Sequence, residues 1–174
     1  GLDPETNYYF AIKSSDNVGN PSSLSNSATG ETGKVTVVFE DGAETSASED
    51  LWTRDAPWAR TSEDASPADA TIPLAGDWSW TDSPGGSYEN GVNTSMTSNV
   101  IGLLGVSSAI LQFDHRYDIE AGWDYGYVEI STDGSTWTEL EVYTGTQSSW
   151  TSNSIDLGAY DDQPGVLIRF RLAT

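Results

Sequence analysis

The chain has 174 residues, no cysteine, and 27 acidic against 7 basic side chains, which gives a formal net charge of -20. Its length suffices for one domain of ordinary size, or for one domain and a fragment of another. The charge disfavours binding to nucleic acid or to anionic membrane surfaces and would attract divalent cations. The lack of cysteine excludes a disulfide scaffold, thiol catalysis and thiolate zinc sites. No run of about 18 apolar residues occurs, so no membrane-spanning helix is predicted.

Short alternating stretches bounded by glycine, serine, asparagine, aspartate and threonine dominate the chain, and helical periodicity is nearly absent. This pattern predicts an all-β fold, a β-sandwich or a barrel. At residues 30–33 the composition shifts to a polar, glycine-bearing stretch that is typical of a domain linker. We therefore expect two regions, residues 1–30 and residues 35–174, joined by a linker at residues 31–34.

The first region resembles the end of a fibronectin type III domain. The residues that carry the resemblance are Leu2, Pro4, Thr6 and Tyr8, followed by the turn Asp16-Asn17-Val18-Gly19-Asn20. Tyr8, Phe10 and Ile12 would share one face of a strand, and residues 23–28 would form the returning strand. The resemblance implies a remnant of such a domain, its last two strands without the first five. A hairpin of this kind cannot bury its apolar face alone.

The second region begins with an alternation of Val35, Val37 and Phe39, which predicts a first strand leading into Glu40. Three later strands are expected to turn one apolar face inward. The inward residues are Leu111, Phe113, His115 and Tyr117 in one strand, Val128 and Ile130 in the next, and Val166, Ile168, Phe170 and Leu172 in the last.

This second region resembles the jelly-roll domains of secreted bacterial peptidases and surface proteins, relatives of the MAM domain. The residues that carry the resemblance are Phe39-Glu40, Trp58 and the segments 82–88, 111–120 and 124–137. The resemblance implies a jelly-roll β-sandwich over residues 35–174 that apparently lacks its last strand, in a secreted or cell-surface protein. The missing strand would leave an open edge, able to pair with flanking domains of the same polypeptide or with neighbouring copies.

Calcium is the cofactor that this resemblance implies. The ligand positions of the MAM-like domains match Glu40 and Asp82, and Asp41 and Asn93 are further candidates. Calcium takes about six to eight oxygen ligands, which carboxylates and loop carbonyls can supply. The site would have a structural role, tying the first strand to a long loop. The alternative is that these residues are ordinary loop side chains of an acidic protein.

The seven tryptophans suggest a second kind of site, because exposed indole rings can stack on sugar rings. Trp78 and Trp80 alternate and would share a face, as a stacking platform requires. Trp52, Trp123 and Trp150 are further candidates. The alternative is that these aromatic side chains fill the core of a large sandwich.

Two more motifs have structural interpretations. Residues 131–137 resemble a shortened Asp box, in which Asp133 accepts backbone N–H groups of a tight turn, Gly134 supplies the unusual dihedral angle and Trp137 packs underneath. His115, the only histidine, is expected to pair with Asp124 in the core rather than to act as a catalytic base. No G-x-S-x-G or H-E-x-x-H motif accompanies it.

The sequence therefore predicts a non-catalytic structural or adhesive accessory module, such as a surface-fibre subunit, of a larger secreted or surface bacterial protein, stabilised by calcium. The alternative is a carbohydrate-binding module that targets an attached enzyme to polysaccharide through Trp78 and Trp80. Neither function involves nucleic acid or insertion into a membrane.

Overall fold

In the computed structural model, residues 4–25, 28–31, 34–62 and 76–174 are described. Parts of three sequence predictions lie outside them: Leu2 of the first motif, residues 26–27 of the returning strand and residues 32–33 of the linker. The chain divides into two compact units, Gly1–Val37 and Val38–Thr174. Within the described residues, no helix is long and apolar enough to cross a membrane.

The first unit contains a hairpin of two antiparallel strands, β1 (Asn7–Phe10) and β2 (Ala28–Glu31). The returning strand therefore lies later than the predicted residues 23–28. Tyr9, Phe10 and Ile12 remain 73%, 55% and 75% exposed. The apolar residues of this hairpin are thus largely unburied.

Asp16 organises the predicted turn of this unit. Its Oδ1 accepts hydrogen bonds from the backbone N–H groups of Val18 at 3.0 Å and Asn20 at 2.9 Å, and its Oδ2 accepts one from the Asn20 amide at 2.9 Å. An aspartate that satisfies the backbone in this way closes a loop without any apolar burial. The predicted turn chemistry is confirmed.

The second unit is an antiparallel β-sandwich. Its strands are β3 (Trp52–Arg54), β4 (Ala59–Thr61), β5 (Ser79–Thr81), β6 (Asn93–Ser98), β7 (Ile110–Asp118), β8 (Tyr125–Ser131), β9 (Thr138–Tyr143), β10 (Thr146–Asp156) and β11 (Leu167–Ala173). The larger sheet has the order β3–β6–β11–β8–β9, β10 and β7 form the opposing sheet, and β4 and β5 form a separate hairpin. The chain crosses between the sheets from β6 to β7, back to β8, again from β9 to β10, and back to β11.

The core lies between the two sheets. Val128 and Ile130 of β8 are 1% and 0% exposed, and they pack with Ile168 of β11. Phe113 of β7 contacts Phe170 of β11 across the layers, with ring centroids 5.3 Å apart in an edge-on arrangement. The all-β sandwich and the inward faces predicted for β7, β8 and β11 are therefore confirmed.

The predicted first strand is wrong. Residues 34–40 are described but form no strand. Val35 and Val37 are 68% and 65% exposed, and only Phe39 reaches the core, with its ring edge-on to Trp52 at 5.6 Å. Alternation makes a strand only where a neighbouring backbone completes the ladder, and no pairing with this stretch occurs among the described residues.

Two short 3-10 helices complete the second unit. Ser46–Leu51 leads directly into β3, and Gly158–Tyr160 follows β10. After the second helix, the carboxylate of Asp161 accepts hydrogen bonds from the backbone N–H groups of Ser108 at 2.7 Å and Ala109 at 3.0 Å. This contact fixes the loop that precedes β7.

Candidate functional site

Asp41, a predicted metal ligand, is a hydrogen-bond acceptor for indole rings. Its Oδ2 accepts from Nε1 of Trp52 at 2.6 Å and from Nε1 of Trp80 at 2.8 Å, and its Oδ1 accepts from the backbone N–H of Ala43 at 2.9 Å. Burial alone raises the pKa of a carboxyl group. Here hydrogen bonds from Ser48, Ala43 and the two indoles outweigh burial and lower the pKa of Asp41 below 3.8. Asp41 is therefore held as a carboxylate within an aromatic cluster.

Trp78 and Trp80, the predicted stacking platform, are each covered by an arginine. The guanidinium carbon of Arg60 lies 4.0 Å from the ring centroid of Trp78, and that of Arg54 lies 4.8 Å from the ring centroid of Trp80. Both tryptophans are half-buried. A guanidinium over the ring occupies the surface on which a sugar would stack, so these contacts favour a structural role for the pair.

Asp82 lies in the loop after β5. Its Oδ1 accepts a hydrogen bond of 2.9 Å from the Ser83 hydroxyl. Asp82 lines a groove of about 510 Å³ together with Pro57, Tyr88 and Leu172. The walls of this groove are partly polar and partly apolar.

Glu40 and Asn93 complete the predicted metal ligands. Glu40 is exposed. The amide oxygen of Asn93 accepts a hydrogen bond of 3.4 Å from Nη1 of Arg171. This oxygen therefore already has a cationic donor beside it.

Two of the four residues already accept hydrogen bonds. Asp41 accepts from two indoles and a backbone N–H group, and the oxygen of Asn93 accepts from a guanidinium. In the part of the chain that the structure describes, no group of three or more His, Cys, Asp or Glu side chains is placed to hold a metal ion. Calcium binding by Glu40, Asp82, Asp41 and Asn93 stays a prediction.

A buried glutamate on the outer face of the larger sheet was missed by the sequence reading. Glu129 of β8 is 6% exposed, and its carboxylate accepts from Nε of Arg169 at 2.7 Å and from Nε and Nη2 of Arg171 at 3.0 Å each. Trp137 and Tyr127 flank this triad, because Arg169 lies over the first ring at 3.9 Å and Arg171 over the second at 4.0 Å. The group is an ion cluster closed by aromatic rings.

All five arginines of the chain lie over an aromatic ring. The pairs are Arg54 with Trp80, Arg60 with Trp78, Arg116 with Trp150, Arg169 with Trp137, and Arg171 with Tyr127, at 3.9 to 5.4 Å from the ring centroids. Sequence alternation could not reveal this pattern, because each pair joins residues that are distant in the chain.

The predicted pair of His115 and Asp124 is wrong. Asp124 is 5% exposed and accepts a hydrogen bond of 2.7 Å from the hydroxyl of Tyr88. His115 packs against Tyr143 at 4.7 Å and stacks parallel to Tyr117 at 5.8 Å, and its Nδ1 is buried with no hydrogen-bond partner among the described residues. Burial lowers the pKa of His115 below 6.5. The ring is therefore an uncharged member of an aromatic cluster.

The predicted Asp-box turn is confirmed. Asp133 Oδ1 accepts hydrogen bonds of 2.7 Å from the backbone N–H groups of Ser135 and Thr136, and Gly134 has a φ of 72°. These backbone bonds lower the pKa of Asp133 to about 2. Trp137 is half-buried beside the turn, under the guanidinium of Arg169. The motif stabilises the hairpin between β8 and β9.

Comparison with known proteins finds a similarity that covers half of the chain. No family model matches it. Bacillopeptidase F of Bacillus subtilis (strain 168) is 36% identical over 88 residues, which make up 50% of this chain and 6% of that protein. The chain thus spans a small fraction of the length of this relative. This chain is therefore an all-β protein, and half of its sequence is similar to a short stretch of a peptidase.

Proposed function

We propose that this chain is a non-catalytic accessory module of a larger exported bacterial protein. The observation that carries the proposal is the extent of the similarity to Bacillopeptidase F: half of this chain matches, but the match takes up only 6% of the peptidase. A stretch so small relative to the whole is typical of an appended domain, which adds stability or attachment to a separate catalytic domain.

The contacts of the chain's titratable groups support this proposal. General acid–base catalysis needs a titratable group within reach of a substrate. His115 is instead enclosed by aromatic rings, the carboxylate of Asp124 is bound by Tyr88, and Glu129 is bound by two arginines. Each of these groups stabilises the sandwich, which is the work of a structural module.

The proposal includes the finer assignments. Residues 35–174 would be a MAM-like jelly roll, supported by two opposed sheets between which the chain crosses repeatedly. Residues 1–30 would be a fibronectin type III remnant, supported by the hairpin of β1 and β2. A location outside the cell would suit the acidic composition and the similarity to a peptidase.

Strand pairing is the contact that such a module would make with flanking domains or neighbouring copies. Among the described residues, β7 and β10 pair only with each other, so each strand has one unpaired edge. β7 is nine residues long and offers a regular ladder. Analytical ultracentrifugation over a wide concentration range tests this contact, and a monomer throughout contradicts pairing between copies.

Deletion of the matching stretch from Bacillopeptidase F tests the module proposal. We expect the shortened enzyme to keep its activity per active site within about twofold, because an accessory module makes no contact in the transition state. The active sites are counted by titration so that poor folding is not mistaken for lost catalysis. A loss of more than about tenfold in folded, titrated enzyme would contradict the proposal.

The chain itself provides the second test. Incubated with casein, it should release no peptides, and His115→Ala should leave that result unchanged. Cleavage by the purified chain that disappears in His115→Ala would assign it a catalytic role instead.

A further inference from the structure

Trp123 is presented to solvent on the turn before β8. Its side chain is 76% exposed, the largest value among the big apolar side chains of the described residues. Trp78, Trp80, Trp137 and Trp150 each have a guanidinium over the ring, whereas no arginine covers Trp123. Trp123 therefore presents an indole face to solvent that no guanidinium occupies, which leaves it open for stacking.

The turn that carries Trp123 is tightly held. The backbone N–H groups of Trp123 and Asp124 donate to the carbonyl of Glu120 at 3.2 and 3.0 Å, and Gly122 N–H donates to the hydroxyl of Thr144 at 2.8 Å. The hydroxyl of Tyr88 accepts from the Glu120 N–H at 2.9 Å. A ligand that stacks on Trp123 would therefore not have to order this loop, which lowers the entropic cost of binding.

The surroundings of Trp123 are polar rather than apolar. Glu120, Ala121, Gly122 and Thr144 are all exposed around it. An exposed indole on a turn of exposed polar residues suits a sugar ring, which has an apolar face for stacking and hydroxyl groups for polar contacts. A contact with a protein core or a membrane would instead call for a continuous apolar patch.

Two tyrosines continue the surface along β8. The hydroxyl of Tyr125 donates to the carbonyl of Gly122 at 3.1 Å, which ties the first tyrosine to the turn. The rings of Tyr125 and Tyr127 lie 6.2 Å apart. Tyr127 is covered by Arg171, so Trp123 and Tyr125 are the rings available for stacking.

We propose that Trp123 and Tyr125 form a binding site for an uncharged polysaccharide. The net charge of -20 repels acidic glycans and favours neutral ones. The site rests on the proposed function, since it gives the accessory module a ligand. It replaces Trp78 and Trp80 as the aromatic pair for that role.

Affinity electrophoresis in native gels tests this site. The full chain is run through gels that contain hydroxyethylcellulose, xylan or galactomannan, with polygalacturonate as the anionic comparison. We expect at least one neutral polymer to retard the chain, with the apparent affinity reduced about tenfold in Trp123→Ala and less in Trp123→Tyr, which keeps a ring. Tyr125→Ala should weaken binding as well.

Tyr9→Ala is the matched control, because Tyr9 is 73% exposed but lies in the first unit. It should bind like the unaltered chain, and thermal unfolding of Trp123→Ala should be unchanged, since an exposed indole contributes little to folding. Absence of retardation by all three neutral polymers overturns the proposal, as does retardation that survives in Trp123→Ala. Self-association that is lost in Trp123→Ala, with no glycan binding, would also overturn it.

The same samples separate failure of this site from failure of the proposed function. New reducing ends released from a retarding polymer would show catalysis and contradict the accessory module, even if binding through Trp123 stands. Absence of both retardation and cleavage removes the glycan site and leaves the accessory module untouched.

Discussion

The carboxylate of Asp41 accepts a hydrogen bond of 2.8 Å from the indole of Trp80, which lies 39 residues later in the chain. Trp52 donates to the same oxygen at 2.6 Å. The carboxylate of Asp41 thus links the segment that precedes the first 3-10 helix to strands β3 and β5. Because the pKa of Asp41 is lowered below 3.8 in the folded state, its contribution to stability is present above that pH and is lost as the pH falls further.

Replacement of Asp41 should destabilise the second unit. Asp41→Ala leaves two half-buried indole N–H groups without an acceptor, and we expect the free energy of unfolding to fall by about 2–3 kcal/mol. Asp41→Asn keeps one acceptor oxygen and should cost roughly half as much. Denaturant unfolding followed by tryptophan fluorescence measures both. Glu40→Ala alters the exposed neighbouring acid and should change stability by less than about 0.5 kcal/mol; equal losses at both positions would contradict the assignment.

Glu129→Gln should destabilise the outer face of the larger sheet. The substitution removes the charge that Arg169 and Arg171 share, so we expect the free energy of unfolding to fall by about 2 kcal/mol. This is less than is typical of a fully buried ion pair, because both arginines remain 20% exposed. A double-mutant cycle with Arg171→Met measures the coupling. Glu89→Gln, at an exposed loop position, is the control. Coupling near zero would show that the arginines are held by their rings alone.

Glu129 also adds a pH dependence. Burial alone raises its pKa, but Arg171 and Arg169 outweigh burial and lower the pKa below 4.5. The stability it contributes is therefore present above pH 4.5 and is lost on acidification below it. This loss should disappear in Glu129→Gln.

His115 should make the sandwich sensitive to mild acid. Burial lowers the pKa of His115 below 6.5. The nearby carboxylates of Asp114 on the same strand and Glu141 on β9 oppose this effect without cancelling it, so the folded state favours the neutral ring. Stability should fall as the pH drops through 6.5 and below it, because the unfolded chain takes up the proton first. Since His115 is the only histidine, its NMR titration is unambiguous. His115→Phe should remove this part of the pH dependence; an identical pH profile in the variant would refute the prediction.

Asp133 should titrate near pH 2, well below the usual aspartate pKa of 3.8. The backbone N–H groups of Ser135 and Thr136 stabilise its charged form, so its contribution to stability is present above pH 3.8 and is lost as the pH falls toward 2. Carbon-detected NMR of the carboxyl signals measures this directly, with the remaining aspartates as internal controls. Titration of Asp133 near pH 4 would mean that the turn is not closed in solution.

Thermal unfolding in the presence of calcium and in the presence of a chelator tests the predicted calcium site. If Glu40 and Asp82 bind the ion, calcium should raise Tm by several degrees, and Glu40→Ala or Asp82→Ala should abolish the rise. Asn93→Ala should leave the calcium effect intact, because Arg171 already occupies the Asn93 oxygen. A Tm that is the same in calcium and in chelator would contradict the site.

Strands with a strong apolar alternation could be predicted from the sequence. Val128 and Ile130, or Ile168 and Phe170, sit on one face because side chains alternate along any strand, and burial of that face fixes its direction. Strand β10 could not be predicted in this way. Its sequence is mostly polar, and it is held by its ladder with β7 and by contacts such as the 2.7 Å hydrogen bond from Thr146 to Asp118.

The candidate site was harder to predict than the fold. Asp133 could be predicted because its partners lie within three residues, so that the motif contains the whole interaction. The partners of Asp41, Asp124 and Trp78 could not be predicted in this way, because they come from distant strands and loops. Composition identifies an acid or an indole, but only the folded arrangement decides whether it faces an ion, a sugar or another side chain.

The pairing of every arginine with an aromatic ring has a consequence for the resistance of the folded chain to proteolysis. A trypsin-like enzyme must draw a basic side chain into its specificity pocket. The second unit has no lysine, and its five arginines already lie against indole or phenol rings. While it stays folded, the second unit offers such enzymes no basic side chain that is free of an aromatic contact.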